Sequence, residues 1–379
     1  MDVLSLLSNF LWIPAFLFVL TIVIFFHELG HFLVARWCGV TVVAFSIGFG
    51  REIVHWIDRH GTRWRIAWLP FGGYVKFVDD DNVASVPTTG QGGETAGAVD
   101  GRFHTKKLWQ RAAVVAAGPI ANFILAILVF GGIYWMYGER YTLARVDSVV
   151  EGGAAEKAGF KPGDLIVGVD GSPIETFTDL QLIVMASADR QLTFTVERDG
   201  QSIELKATPE RKERTDHFGN TYRTGMIGIT QSPKIEDVKL RSYSLPGALW
   251  RGVTQTQFIV TETFRVIGDI IIGRESARQL GGPIKIAEVS GQAASLGWVS
   301  LFSLIAGLSV SIGLLNLFPI PILDGGYLMF CVYEAIVGKP VPEKAQAIGF
   351  RIGIAILGVL MVFVTTNDLV GKISQWLGQ

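Results

Sequence analysis

Two spacings organise the apolar positions of this chain. Four stretches are apolar over lengths that can cross a bilayer as helix, which takes about 20 residues. They are residues 10–35, where the ionisable groups are His27, Glu28 and His31; 112–137, which carry no charge; 296–323, uncharged up to Asp324; and 345–367, charged at Arg351 alone. Between them the alternation shortens to every second residue. Residues 52–57 and 64–68, about a turn at His60 and Gly61, predict a β-hairpin, and it or a strand at 74–77 offers an edge on which an extended chain can pair. Residues 143–150, 161–171, 192–198 and 202–207 predict further strands around a helix over 178–188, together a small α+β module. Leu249, Val253, Val260, Phe264, Ile267 and Ile271 return to helical spacing with Arg251, Glu262 and Arg265 interspersed. They predict an amphipathic helix, lying on the outer membrane surface or packed on the module. Residues 79–101, rich in Gly, Thr and Asp, have no period and read as a flexible linker; Asp79, Asp80 and Asp81 lack calcium-loop spacing and read as a solvated acidic turn. No internal repeat is present.

The pattern gives a polytopic α-helical membrane protein with four transmembrane helices. Its expected divisions are 1–36, 37–107, 108–137, 138–210, 211–295, 296–333 and 334–379. Charged residues make up 18% of the chain and hydrophobic ones 49%, against roughly 25% charged in soluble domains. Lys and Arg mark the cytoplasmic flanks of spans. Arg36, Arg51, Lys106, Lys107 and Arg111 border one loop, Lys339, Lys344 and Arg351 the other, and the N-terminal tail has none. The hairpin region is thus expected in the cytoplasm, membrane-associated through Trp37, Trp56, Trp64, Trp68 and Phe71, and the α+β module and both termini outside. The first span lacks a basic leader and a cleavage site, so it reads as a retained anchor. A net charge of −1 excludes the electrostatic footprint of a nucleic-acid binder. Cys38 and Cys331, far apart in apolar context, support neither a disulfide framework nor a thiolate metal site.

The chemistry concentrates at His27-Glu-Leu-Gly-His31. Histidines four apart share a helix face and can hold one metal, with Glu28 beside them to take a proton from water. With 6 histidines in 379 residues, a chance match is expected roughly four times in a thousand. Each ionisable group inside an apolar span also costs about 3 kcal/mol or more, which marks it as functional. A catalytic metal usually takes three protein ligands, and Asp324, the charge that ends a long apolar run, supplies the third. Imidazole and carboxylate suit zinc, with iron and cobalt as the other metals this spacing admits. Around Asp324, Pro319 and Pro321 remove two backbone donors and break the helix, and Asn316 is placed to hydrogen-bond a substrate backbone or to serve a plain proline kink.

These motifs, with Gly118-Pro-Ile-Ala-Asn122, Gly48-Phe-Gly50, Phe71-Gly-Gly-Tyr-Val-Lys-Phe77 and Trp109-Gln-Arg111, resemble the bacterial site-2 proteases, close to the regulator of sigma-E protease group, over nearly the whole chain. The resemblance implies an intramembrane zinc metalloprotease of the bacterial inner membrane. His27, His31 and Asp324 would be its Zn2+ ligands, Glu28 its base, and Asn316, Pro319, Pro321, Gly48, Gly50 and Tyr74 its substrate-binding residues. It implies as partner a single-span membrane protein such as an anti-sigma factor. The α+β module, through Ala155-Glu-Lys-Ala-Gly-Phe-Lys-Pro-Gly-Asp164, resembles a bacterial PDZ domain, whose groove would take a peptide or chain terminus. One such module is found, where some members carry two. The rival readings are a metal-dependent membrane transporter and a catalytically silent PDZ scaffold; for the second, Glu28 would be dispensable.

Overall fold

The computed structural model describes residues 3–78, 101–215, 221–231, 237–273, 277 and 280–377. The linker expected over 79–100, with Asp79, Asp80 and Asp81, lies outside the described residues. Four helices are long and apolar enough to cross a membrane: Trp12–Trp37, Leu108–Tyr137, Trp298–Asn316 and Glu343–Val370. The chain divides into two compact units, one holding residues 1–133, 245–265 and 280–379, the other 134–244 and 266–279.

The first unit begins with α1 (Val3–Trp37), which carries the HELGH run. Then come two long strands, β1 (Val42–Ile57) and β2 (Arg63–Phe77). The expected hairpin is the outer end of this pair: Val54 faces Ile66 and Trp56 faces Trp64, with residue numbers running in opposite directions. Both strands then bend back. Ala44 to Ile47 face Lys76 to Gly73 on one side, antiparallel, and on the other face Arg63 to Ile66 with numbers rising together. Four segments therefore lie side by side in the order 52–57, 63–67, 44–47, 73–76. Gly48 and Gly50 make the bend in β1 with φ of +88° and +87°, a region open to glycine. Phe45, fully buried, anchors the sheet on α1 through Phe32 at a ring distance of 5.4 Å and packs on Trp64 of β2 at 4.4 Å.

At the hairpin turn, Asp58 accepts from Trp64 Nε1 at 3.0 Å and from the N–H groups of His60 and Thr62, and pairs with Arg36 at the end of α1. Burial alone would raise this carboxyl, but these donors hold it well below the usual carboxylate range. The outermost segment, 52–57, exposes Ile53 and Ile57 on one face and Val54 and Trp56 on the other.

The next span is α2 (Leu108–Tyr137). The second unit follows, with β3 (Glu139–Thr142), β4 (Ser148–Val149), α3 (Ala154–Lys157), β5 (Leu165–Val169), β6 (Ser172–Pro173), α4 (Phe177–Ala186), β7 (Leu192–Arg198) and β8 (Gln201–Ala207). Its main sheet is ordered β6-β5-β7-β8. α4 starts on a capping box, Thr176 Oγ1 accepting from Asp179 N–H at 3.0 Å. The fully buried Phe194 and Val196 and the nearly buried Ile166 and Leu180 form its core. Asp164 receives a forked bond from Arg198 at 2.7 and 2.8 Å. Burial pushes its pKa up, and Arg198 with the Lys161 N–H more than reverses that, leaving it lowered.

Of the single strand expected over 143–150, β4 and an isolated bridge from Arg145 to Leu165 form, while β3 precedes it. The boundary at residue 210 falls short of where the unit ends. It closes with β9 (Glu210–Thr215), β10 (Thr221–Met226), β11 (Ile229–Thr230) and β12 (Val238–Arg241), of which β11 pairs with β4 and β12 with β3. β9 reads Glu-Arg-Lys-Glu-Arg-Thr, so no apolar alternation announces it.

The chain then forms α5 (Leu245–Ile271), α6 (Pro283–Ser295), α7 (Trp298–Asn316), α8 (Asp324–Val337) and α9 (Glu343–Leu377). α5 buries Ala248, Gly252 and Thr256, and Gly252 lies against Ile127 and Gly131 of α2. It is thus bound to a spanning helix through small residues, a partner that neither expectation for this stretch named. The apolar run expected as one span over 296–323 divides: α7 ends at Asn316, three residues before Pro319, and Asp324 opens α8. α9 touches its neighbours near its two ends. Gly349 and Gly353 lie against Pro321 and Ile322, and Asp368 accepts the N–H groups of Gly282, Ile284 and Lys285 at 2.9–3.1 Å, satisfying the start of α6. Between these ends most of its side chains are exposed.

Candidate metal centre

Two neighbouring helices aim the histidines of α1. Gly118 of α2 lies so close to the His31 ring that a Cβ there would stand 2.2 Å from Nε2. That proximity lets the Val114 carbonyl accept from His31 Nδ1 at 2.8 Å, which leaves Nε2 as the nitrogen with a lone pair. His27, on the next turn of the same face, presents Nε2 to the same point, 3.3 Å from that of His31. Asp324, the first residue of α8, brings Oδ2 to 3.2 Å from His27 Nε2 and 3.5 Å from His31 Nε2.

These three distances test whether zinc fits. Ligand bonds of about 2.0–2.2 Å in tetrahedral geometry set ligand atoms roughly 3.3–3.6 Å apart, and the observed separations are 3.2, 3.3 and 3.5 Å. Asp324 Oδ2 is buried and has no hydrogen-bond partner. Such an oxygen is costly unless a cation meets it. Among the described residues, His27, His31 and Asp324 are the group of His, Cys, Asp and Glu whose ligand atoms converge in this way.

Glu28 points along the sheet side of the same helix turn and accepts the Val75 N–H. Gly73 makes that approach possible: a Cβ there would stand 2.9 Å from Glu28 Cγ and 2.8 Å from the Ser46 carbonyl. Segment 73–76 thus runs against the acid, with no further strand on that side among the described residues. Asn316, the last residue of α7, sets Nδ2 3.4 Å from His27 Nε2.

The remaining expected site residues stand farther off. Pro319 and Pro321 occupy the connection between Asn316 and Asp324 and set its course. Gly48 and Gly50 bend β1, Gly48 against the Ala67 and Leu69 carbonyls, so they act through the sheet's shape. Tyr74 neighbours Gly73 and stacks on Phe49 at 6.3 Å, under the Arg65 guanidinium at 5.1 Å. Asn122, the last residue of the Gly118–Asn122 motif and not among the expected site residues, meets His27 Nδ1 at 3.3 Å through its side-chain amide. The signal was present: between residues 112 and 137 it is the one amide in an otherwise apolar and aromatic run.

Gly118→Ala should displace the His31 ring, because a methyl cannot occupy a point 2.2 Å from Nε2. Bound zinc per chain should fall while the second unit keeps its fold. Wild-type zinc content in that variant would show that α2 yields instead.

The model of the family described as Peptidase family M50 matches residues 15–360. A zinc metalloprotease by name from Rhizobium meliloti is 46% identical over 358 residues, covering 94% of this chain and 96% of its own length. The metalloprotease MmpA of Caulobacter vibrioides is 41% identical over 378 residues, covering 93% and 94%. Among solved structures, the PDZ domain of an SdrC-like protein from Listeria monocytogenes covers 23% of this chain and 83% of its own at 18% identity and a TM-score of 0.18, a likeness too slight to assign the second unit.

Proposed function

We propose, given that the chain belongs to peptidase family M50 and is a zinc metalloprotease of the site-2 type, that it hydrolyses a peptide bond within the transmembrane segment of a single-span membrane protein. The observation that carries this reading is the convergence of His27 and His31, on a helix of membrane-spanning length, with Asp324 at the start of α8, and the place of Glu28 beside an open strand edge. His27, His31 and Asp324 would hold zinc, which when bound lowers the pKa of water and polarises a carbonyl. Glu28 would accept the proton of the attacking water and deliver it to the leaving amine. Asn316 Nδ2 is positioned to donate to the carbonyl of the scissile bond.

A helical substrate shields its own carbonyls, so cleavage requires an extended stretch. Segment 73–76 offers an edge on which such a stretch can pair as an added strand, with Tyr74 beside it. The exposed Ile53, Val54, Trp56 and Ile57 support immersion of this sheet in the membrane. Basic residues flanking the spans support a sheet on the cytoplasmic side of the bacterial inner membrane and an extracytoplasmic second unit. An anti-sigma factor fits the substrate class.

In the second unit, a cleft of about 280 Å³ runs between Leu180, Val184 and Met185 of α4 and the Gly225–Thr230 stretch. It supports a PDZ reading, with a peptide or chain terminus as its guest.

The test uses purified protein in lipid bilayers with single-span substrates whose mid-span carries helix-weakening Gly and Pro. Cleavage inside the span, stopped by chelator and restored by zinc, is the expected result. Cleavage confined to water-exposed segments would overturn the intramembrane reading. Zinc-dependent passage of a solute without any cleavage would favour the transporter.

A further inference from the structure

We infer that Asn122 is a positioning residue that fixes the tautomer of His27 and thereby makes its Nε2 available to zinc. The inference rests on the reading of His27, His31 and Asp324 as the zinc ligands. An imidazole nitrogen that holds a metal must offer a lone pair, so the ring proton sits on the other nitrogen, which then needs an acceptor. His31 has one in the Val114 carbonyl. His27 Nδ1 is met by the Asn122 amide instead, with Nδ2 at 3.3 Å.

An amide that donates there would put the ring proton on Nε2, pointing at Asp324 Oδ2 only 3.2 Å away and at the place of the metal. Asn122 Oδ1, meanwhile, is buried without a hydrogen-bond partner. The two ends of an amide have nearly the same shape, and the bonding around them decides which end goes where. A half-turn brings Oδ1 against His27 Nδ1–H, gives the orphaned oxygen a donor, and frees the Nε2 lone pair.

The residue is built in for this. Asn122 is completely buried, and its own carbonyl accepts from Ser309 Oγ of α7 at 2.9 Å. Its Cβ faces Gly313, where a Cβ would come within 3.1 Å. Three helices therefore fix one amide against one imidazole.

The test compares wild type, Asn122→Leu, Asn122→Asp and His27→Ala by zinc competition against a chromophoric chelator, by thermal unfolding of the zinc-free proteins, and by 15N spectra of histidine-labelled wild type. His27→Ala should lose zinc, which checks the ligand set independently. Asn122→Leu should bind zinc about 10–100-fold more weakly, the usual effect of removing a partner behind a ligating histidine, whereas Asn122→Asp, whose carboxylate accepts from Nδ1–H, should stay within about threefold of wild type. Zinc-free wild type should show His27 protonated at Nδ1.

Unchanged zinc affinity in a folded Asn122→Leu protein, or an Nε2–H tautomer of His27 in wild type, would overturn the role of Asn122. Should Asn122→Leu not fold, the wild-type spectrum and the Asp variant decide: an Nε2–H tautomer, or weakened zinc in Asn122→Asp, overturns it. Full zinc in His27→Ala would overturn the ligand set instead.

Discussion

Glu28→Gln should bind zinc at the wild-type ratio and cleave substrate at least about a thousandfold more slowly, the upper part of the range for loss of a positioned general base. Glutamine keeps the volume of the side chain and can still accept the Val75 N–H through its carbonyl oxygen. It therefore leaves the sheet and the three ligand residues where they are, and the one property removed is the capacity to take a proton. Zinc per chain by elemental analysis and initial cleavage rates on the same preparation check both halves. A variant that cleaves at the wild-type rate would remove Glu28 from the chemistry, and one that loses zinc would make it a ligand.

The second large effect belongs to Asp324→Ala, which should weaken zinc binding by more than the roughly 10–100-fold that outer-shell changes cost and abolish cleavage with it. The structure separates this from a folding defect. α8 begins after Leu323 without a side-chain cap bond, and Asp324 contributes to its start only through the helix dipole, about 0.3–1 kcal/mol. Its Oδ2 has no hydrogen-bond partner, so removing the buried carboxylate relieves a desolvation cost in the zinc-free protein. The melting temperature without zinc should hold or rise, while the increase that zinc gives to wild type should vanish. A zinc-free protein that melts lower would show that Asp324 is structural.

The cluster of His27, His31 and Asp324 was legible in sequence because burial cost isolates it: ionisable groups in long apolar runs are functional candidates, and the structure brings these three together. Helix periodicity set His27 and His31 on one face, and Asp324 followed from ligand counting. Hairpin alternation over 52–57 and 64–68 found the outer half of the sheet, and the strand read at 74–77 its far edge, but not the stretch at 44–47 between them. The inner half reads Phe45-Ser-Ile-Gly-Phe-Gly and is paired on both sides, so its burial pattern depends on long-range register rather than on a local period. β9 to β12 were missed for a related reason: short polar strands are held by their partners across the unit. Asn122 was visible as an oddity, but its role needed the contact with His27, 95 residues away in the chain.

The scarcely buried stretch of α9 carries a practical consequence for all these measurements. An apolar helix exposed between the Gly349–Gly353 contact and the Asp368 tie takes its packing partners from a surrounding bilayer, so the amphiphile in which the protein is dissolved bears on its tertiary structure. Exchanging bilayer for micelle replaces the neighbours of an entire helix, and that helix abuts Pro321 and Ile322 on the connection that carries Asn316 to Asp324. Zinc affinities and rates for the variants are therefore to be compared in one bilayer composition, since a change of amphiphile acts on the same connection as a substitution.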